Sequence, residues 1–280
     1  MFHSMQMISL LTALVVVVLI WTFSRKNPWY AVTNFAKELI SSKRLLIVFV
    51  AMIGVLLVNK YELQWEESMG YHADFTSKVF QLEGHFVSNF QSLFHAPWVT
   101  DVTAFFYLVV FQGLIIASIG IYASEGKQAF IYATCCTVMI NYLVAIPFYL
   151  FFPVNEVWSY APSGTSFYML EAFPNFEQVY RPLSGLNNCF PSLHTSISVS
   201  MAILAIRSGN RRWAACATIS ASIIIFAIFY MGIHWLTDMI GGFTLAVIAS
   251  TLGIKIGQWL TKPVQNEPLL TIAKETKKSL

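Results

Sequence analysis

The sequence predicts an all-α, polytopic membrane protein. Of its 280 residues, 56% are hydrophobic and only 11% charged, against about 25% charged in a soluble domain. Mean hydropathy is +0.62. The apolar residues gather into seven runs, and a helix of roughly 20 such residues crosses a bilayer. Lys and Arg fall almost entirely between alternate runs, as they do in one multi-span domain.

The first run, Ile8–Phe23, has no basic residue before it, and "WTFSRKNPW" offers no small-x-small cleavage site, so a retained anchor is expected. Leu45–Val58 is short and must borrow flanking residues. Thr103–Tyr122, Phe130–Phe152, Pro191–Ile206, Trp213–Gly232 and Leu236–Ile256 complete the set. With the N-terminus outside, 14 of the 17 basic residues lie inside, and only Lys60, Lys78 and Arg181 lie outside. The net charge of +3 therefore records membrane sidedness and needs no nucleic-acid partner. Three segments follow: an anchor and basic cytoplasmic linker (1–44), a membrane domain (45–262) and a basic cytoplasmic tail (263–280). No N-x-Ser/Thr sequon occurs, which favours a bacterial plasma membrane. There is no CxxC among the four cysteines, so neither a metal centre nor a disulfide scaffold is indicated.

Two outer segments exceed simple connections. In "FTSKVFQLEGHFVSNFQSLF", Phe75, Val79, Leu82, Phe86, Phe90 and Leu93 recur at helical steps. They predict an interfacial helix bordering a lateral entrance for lipid, with packing over the bundle as the competing reading. His72, His85 and His95 share no spacing and read as interfacial polar residues. The second segment, 153–190, is rich in Pro, Gly, Ser and Asn and reads as turns, "APSGTS" among them. It empties into "PSLH" at 191–194.

Arg181, His194, His234 and Asp238 all converge on the outer surface under this topology. An Asp just inside a span is costly without a partner. His234 and Asp238 are four apart, on one helix face. The carboxylate can hold one ring nitrogen and leave the other as nucleophile or base. Pro191 and Ser192 mark a helix start, whose amides suit a phosphate.

"PSLH" and "YMGIHWLTDMIGG" at 230–242 resemble the Pro-Ser-x-His and His-x3-Asp motifs of the type-2 phosphatidic acid phosphatase superfamily. "YRP" at 180–182 is similar to the end of its first motif, Lys-x6-Arg-Pro. The resemblance spans about residues 45–256. It implies a six-helix core, here with one extra N-terminal span, acting on a membrane lipid substrate at the outer face without a cofactor or metal. It also implies roles. His234 would attack phosphorus to form a phosphohistidine, oriented by Asp238, and His194 would act as general acid and base. Arg181 and Ser192 would hold the phosphoryl oxygens.

Two motif cations are absent. Pro174 stands where the first motif has lysine, and Ile228 where the third has arginine. Ten outer acids face three outer bases, of which Lys60 and Lys78 are the ones left to fold over the pocket. A monoester dianion or pyrophosphate calls for more cations than a singly charged phosphodiester. Within the superfamily, the "PSLH" here resembles that of inositol phosphorylceramide synthases, which move a phosphodiester head group, and head-group transfer or phosphodiester cleavage is the expected reaction. The alternatives are a lipid monoester or pyrophosphate phosphatase and a weakened lipid carrier. A haem protein would place its histidines deeper, and a transporter would show repeats and broken spans.

Overall fold

A computed structural model describes residues 1–70 and 73–262. His72 and the 263–280 tail lie outside the described residues. No strand forms among them; one isolated bridge pairs Val154 with Asn188.

Helix α1 (Met5–Ser24) starts at Ser4, whose Oγ accepts the Met7 amide. The stretch expected as a basic linker is instead a helix, α2 (Pro28–Ser41). Asn27 caps the Trp29 amide at 2.9 Å and Pro28 occupies the first helical position, where a missing N–H costs nothing. Ala31, Phe35 and Leu39, at steps of four, turn toward the core. Helix α3 (Lys43–Met69) extends well beyond the short predicted run and buries Glu62.

The single outer helix expected from Phe75 to Leu93 is two, α4 (Thr76–Glu83) and α5 (Phe86–Phe94). Gly84 separates them at φ +58 and ψ −132, a conformation that only glycine adopts readily. The break splits the apolar stripe. Val79 and Phe90 face the bundle, where Phe90 meets Phe226 and Phe229, while Leu82 and Leu93 are exposed. The pair packs over the bundle.

The remaining helices are α6 (Pro97–Ser124), α7 (Gln128–Phe151), α8 (Leu193–Ser208), α9 (Arg211–Tyr230) and α10 (Leu236–Leu260). Among the described residues, six helices are long and apolar enough to cross a membrane: α1, α3, α6, α7, α9 and α10. The seventh predicted span, α8, has 16 residues and is mostly buried by its neighbours. Small residues let these helices approach. A Cβ on Gly257 would overlap the Ala129 carbonyl of α7, and one on Gly253 would overlap Thr137 Oγ1. Asn141 of α7 accepts from Ser196 and donates to Ser200, both on α8, so these three side chains partner one another deep in the bundle.

Helix α1 lies against α6 and α3 against α7, with α2 spanning their ends. At this basic end, Lys26 Nζ donates to the Ser124 carbonyl at 2.6 Å and Lys127 Nζ to that of Ser208 at 2.7 Å. Both satisfy carbonyls that a helix C-terminus leaves open. The 153–190 segment covers the opposite end as turns and single helical turns, with Val157, Met169, Phe173 and Phe176 as its buried face. "APSGTS" is one such turn, closed by Gly164 at φ +67.

Candidate active site

Ser192 caps α8 by accepting the Thr195 amide at 3.3 Å, and its own amide donates to the Asp238 carbonyl at 3.1 Å. Pro191 stands just before the cap, outside the helix, where its carbonyl accepts from Tyr149 Oη. The two motif segments are thus joined directly. Glycines set their spacing: a Cβ on Gly242 would lie 2.6 Å from the Ser192 carbonyl, and one on Gly241 would lie 2.7 Å from the Phe190 ring.

His234 and Asp238 are both buried. His234 Nδ1 lies 3.3 Å from Asp238 Oδ2, and that oxygen also accepts the Trp235 amide at 2.8 Å. The contact leaves Nε2 as the second ring nitrogen of a residue that lines the cavity. His194 lines the same cavity, with the two ring centroids 6.3 Å apart. The His194 ring stacks on Tyr107 at 3.8 Å and 13° and on Phe111 at 4.3 Å. Both rings come from a π-helical stretch of α6, Phe106–Val110, and the residue after it. Such wide turns recur at functional sites. His194 Nε2 is buried without a partner, a state that a reacting group in the cavity would relieve.

The cavity, about 130 Å³, is lined by these histidines, Glu62, Glu156, Asn188, Cys189 and four tyrosines. Among the described residues, no Lys or Arg lines it. Neither Lys60 nor Lys78 folds over it; Lys78 sits 5.0 Å from the Phe75 ring instead. Ile228, at the motif position of arginine, is fully buried and receives the Ile233 and His234 amides on its carbonyl.

Arg181 stands behind the cavity wall with all five N–H groups engaged. Two bind Glu156 at 2.7 and 2.8 Å, two bind Glu177 at 3.1 and 2.9 Å, and one meets the Gly185 carbonyl at 2.7 Å. Burial opposes its charge, but the two carboxylates outweigh burial and raise the guanidinium pKa further. Burial pushes the Glu156 carboxyl up, against the pull of Arg181. In this arrangement no donor of Arg181 is free for a phosphate.

Two further features were not expected from the sequence. Glu83, the last residue of α4, accepts the Leu236 and Thr237 amides at 2.6 Å each and the Thr237 hydroxyl. It thereby caps the helix that carries Asp238 from 153 residues away. Cys189 lies with His234 and Asp238 in a group whose ligand atoms are within 4.8 Å of one another. Burial, with Asp238 beside it, holds the Cys189 thiol well above its ordinary range. His85 and His95 are surface groups, on the Ser163 carbonyl and on Glu171. The groove beside α5, near Leu93, Phe94 and Trp98, shares no lining residue with the cavity. It therefore gives the expected entrance along the outer helices no support.

A family model described as the PAP2 superfamily matches residues 79–272. The chain belongs to the PAP2 superfamily. It is thus a membrane protein of the lipid phosphatase and phosphotransferase type. The match starts at Val79, later than the motifs led one to expect, so α1, α2 and α3 precede it. Comparison with curated proteins and with solved structures gives no match.

Proposed function

We propose that this PAP2 superfamily enzyme moves a phospho-head-group between lipids through a phosphohistidine on His234. The observation that carries the reading is the buried His234–Asp238 contact, with His194 on the wall of the same cavity. Asp238 would fix the His234 tautomer, so that Nε2 attacks phosphorus. The bond from phosphorus to the donor lipid's oxygen breaks, and His194 gives that oxygen a proton. His194 then takes the proton of an acceptor hydroxyl, whose oxygen attacks phosphorus and releases His234. The first amides of α8, which a helix start leaves without an internal acceptor, would hold phosphoryl oxygens beside Ser192. Arg181 could join only by exchanging a carboxylate partner for the phosphate.

The missing cations favour a phosphodiester. A cavity walled by Glu62 and Glu156, with no Lys or Arg, suits a singly charged phosphate attached to a hydroxyl-bearing or cationic head group. Basic residues gather at the opposite end, which supports an outward-facing site.

The test is a panel of phosphodiester lipids with a lipid alcohol acceptor, run beside phosphatidic acid and polyprenyl phosphates. New phospholipid should form from the diesters, His234→Ala should abolish it, and Asp238→Asn should lower kcat by about 10³-fold or more. Efficient release of inorganic phosphate from the monoesters, with the diesters spared, would replace transfer by hydrolysis. Full lipid binding with no turnover in the unmodified protein would leave a carrier.

A further inference from the structure

A second cavity, about 620 Å³, lies between α1, α2, α3 and α6. Apart from Gln112 and two tyrosines, its wall is hydrocarbon. Phe111, Tyr142 and Tyr180 line both this chamber and the catalytic cavity, and Phe111 also packs on His194. From that shared wall the chamber follows α6 as far as Gly120. Nine positions at about 1.5 Å each make a depth of about 14 Å, close to half of a hydrocarbon core roughly 30 Å thick.

The chamber has an open side and a closed end. Val32, Ile53 and Ile116 line it and are themselves exposed, so the gap between α1 and α3 faces the bilayer. At the far end Ile20, Ala31 and Gly120 meet; a Cβ on Gly120 would lie 2.5 Å from Ile20 Cδ1. More than half of the lining residues precede Val79, where the family match begins. The wall is therefore supplied mainly by the segment that precedes the family match.

We propose that this chamber takes a hydrocarbon chain of the lipid whose phosphate lies between His194 and His234, and that its floor at Ile20, Ala31 and Gly120 limits chain length. The occupant follows from the wall of Phe111, Tyr142 and Tyr180 that the chamber shares with the catalytic cavity, from its apolar lining and from a depth matching one leaflet. The proposal rests on the catalytic reading above. Chains that stop short of the floor fit, and longer ones must bend out through the side opening and lose apolar burial.

The experiment uses the full chain carrying His234→Ala, so that nothing turns over. The probes are phosphatidylglycerols, phosphodiester lipids with a hydroxyl-bearing head group, of graded chain length with a diazirine at the chain end. Label from the longest accepted chain is expected on peptides of α2 and on 111–120. Ala31→Phe should raise the floor and cut that label about tenfold relative to short chains, the effect of losing room for roughly two methylenes. Phe35→Ala should act oppositely and admit longer chains, a response that misfolding cannot imitate. Label scattered over the bilayer-facing helices, indifferent to both variants, would overturn the chamber. If the unmodified protein turns over no phospholipid while label still maps to the floor, the catalytic reading fails alone. Turnover with label elsewhere sinks only the chamber.

Discussion

Glu83 ties the outer layer to the helix start beside Asp238 at the level of single atoms. Its two oxygens serve three donors at the start of α10, one residue before Asp238. Burial is the main influence on this carboxyl and raises its pKa above 4.5, outweighing the bonds from Thr237 and Leu236 that lower it. The folded chain therefore holds the Glu83 proton more tightly than the unfolded chain does. The contribution to stability is complete below pH 4.5 and is lost as pH rises through the raised value. Glu83→Gln removes this titration, so its melting temperature in detergent should fall less steeply with rising pH than that of the unmodified protein. Parallel profiles would show that Glu83 contributes no such linkage. His194, His234 and Asp238 were readable from motif spacing because each lies within a short local pattern. Glu83 was not, since nothing near "QLEGHF" hints at a contact 153 residues on. Arg181 was readable as a cation but not as one whose donors are spent on Glu156 and Glu177, because partner choice is decided by the fold.

At the scale of elements, the site is a junction between the start of α8 and the start of α10. The hydrophobic runs located both helices, but not which of their ends would meet. Gly242 lies against the Ser192 carbonyl and the Thr195 side chain, so its missing Cβ fixes the distance between the two histidine-bearing segments. Gly242→Ala should force them apart, with overpacking costs typically about 1–3 kcal/mol. We expect a lower kcat than in the unmodified protein, a lower melting temperature, and little change in expression or helix content. Unchanged turnover would mean that the junction tolerates movement and that the histidine spacing is not critical. Sequence periodicity failed at two elements for physical reasons. It ran through Gly84, whose conformation splits α4 from α5, and it passed over α2, where basic and apolar residues mix within one short amphipathic helix. The π turn in α6 left no periodic trace, since it displaces a single register step within an apolar run.

For the molecule as a whole, charge does two jobs at one end of the bundle. Lys26 and Lys127 satisfy helix-terminal carbonyls there, and by the positive-inside rule the same basic set would bias which way the chain inserts. The histidines, Glu62 and Glu156 occupy the other end, in a cavity without Lys or Arg. If sidedness follows the basic residues, that cavity faces outward and α2 faces the cytoplasm. Two exposed positions test this directly: Leu183 lines the catalytic cavity at the histidine end, and Ile40 lies near the end of α2. Three native cysteines are buried and Cys216 is half-buried, so background labelling by a polar reagent should be low. In intact cells a membrane-impermeant maleimide should label Leu183→Cys, whereas Ile40→Cys should label only after the membrane is opened. Labelling of Leu183→Cys should also lower turnover, because the adduct occupies the cavity mouth. The reverse pattern would place the chemistry on the cytoplasmic face, and the basic residues would then be acting as helix caps rather than as the determinant of orientation.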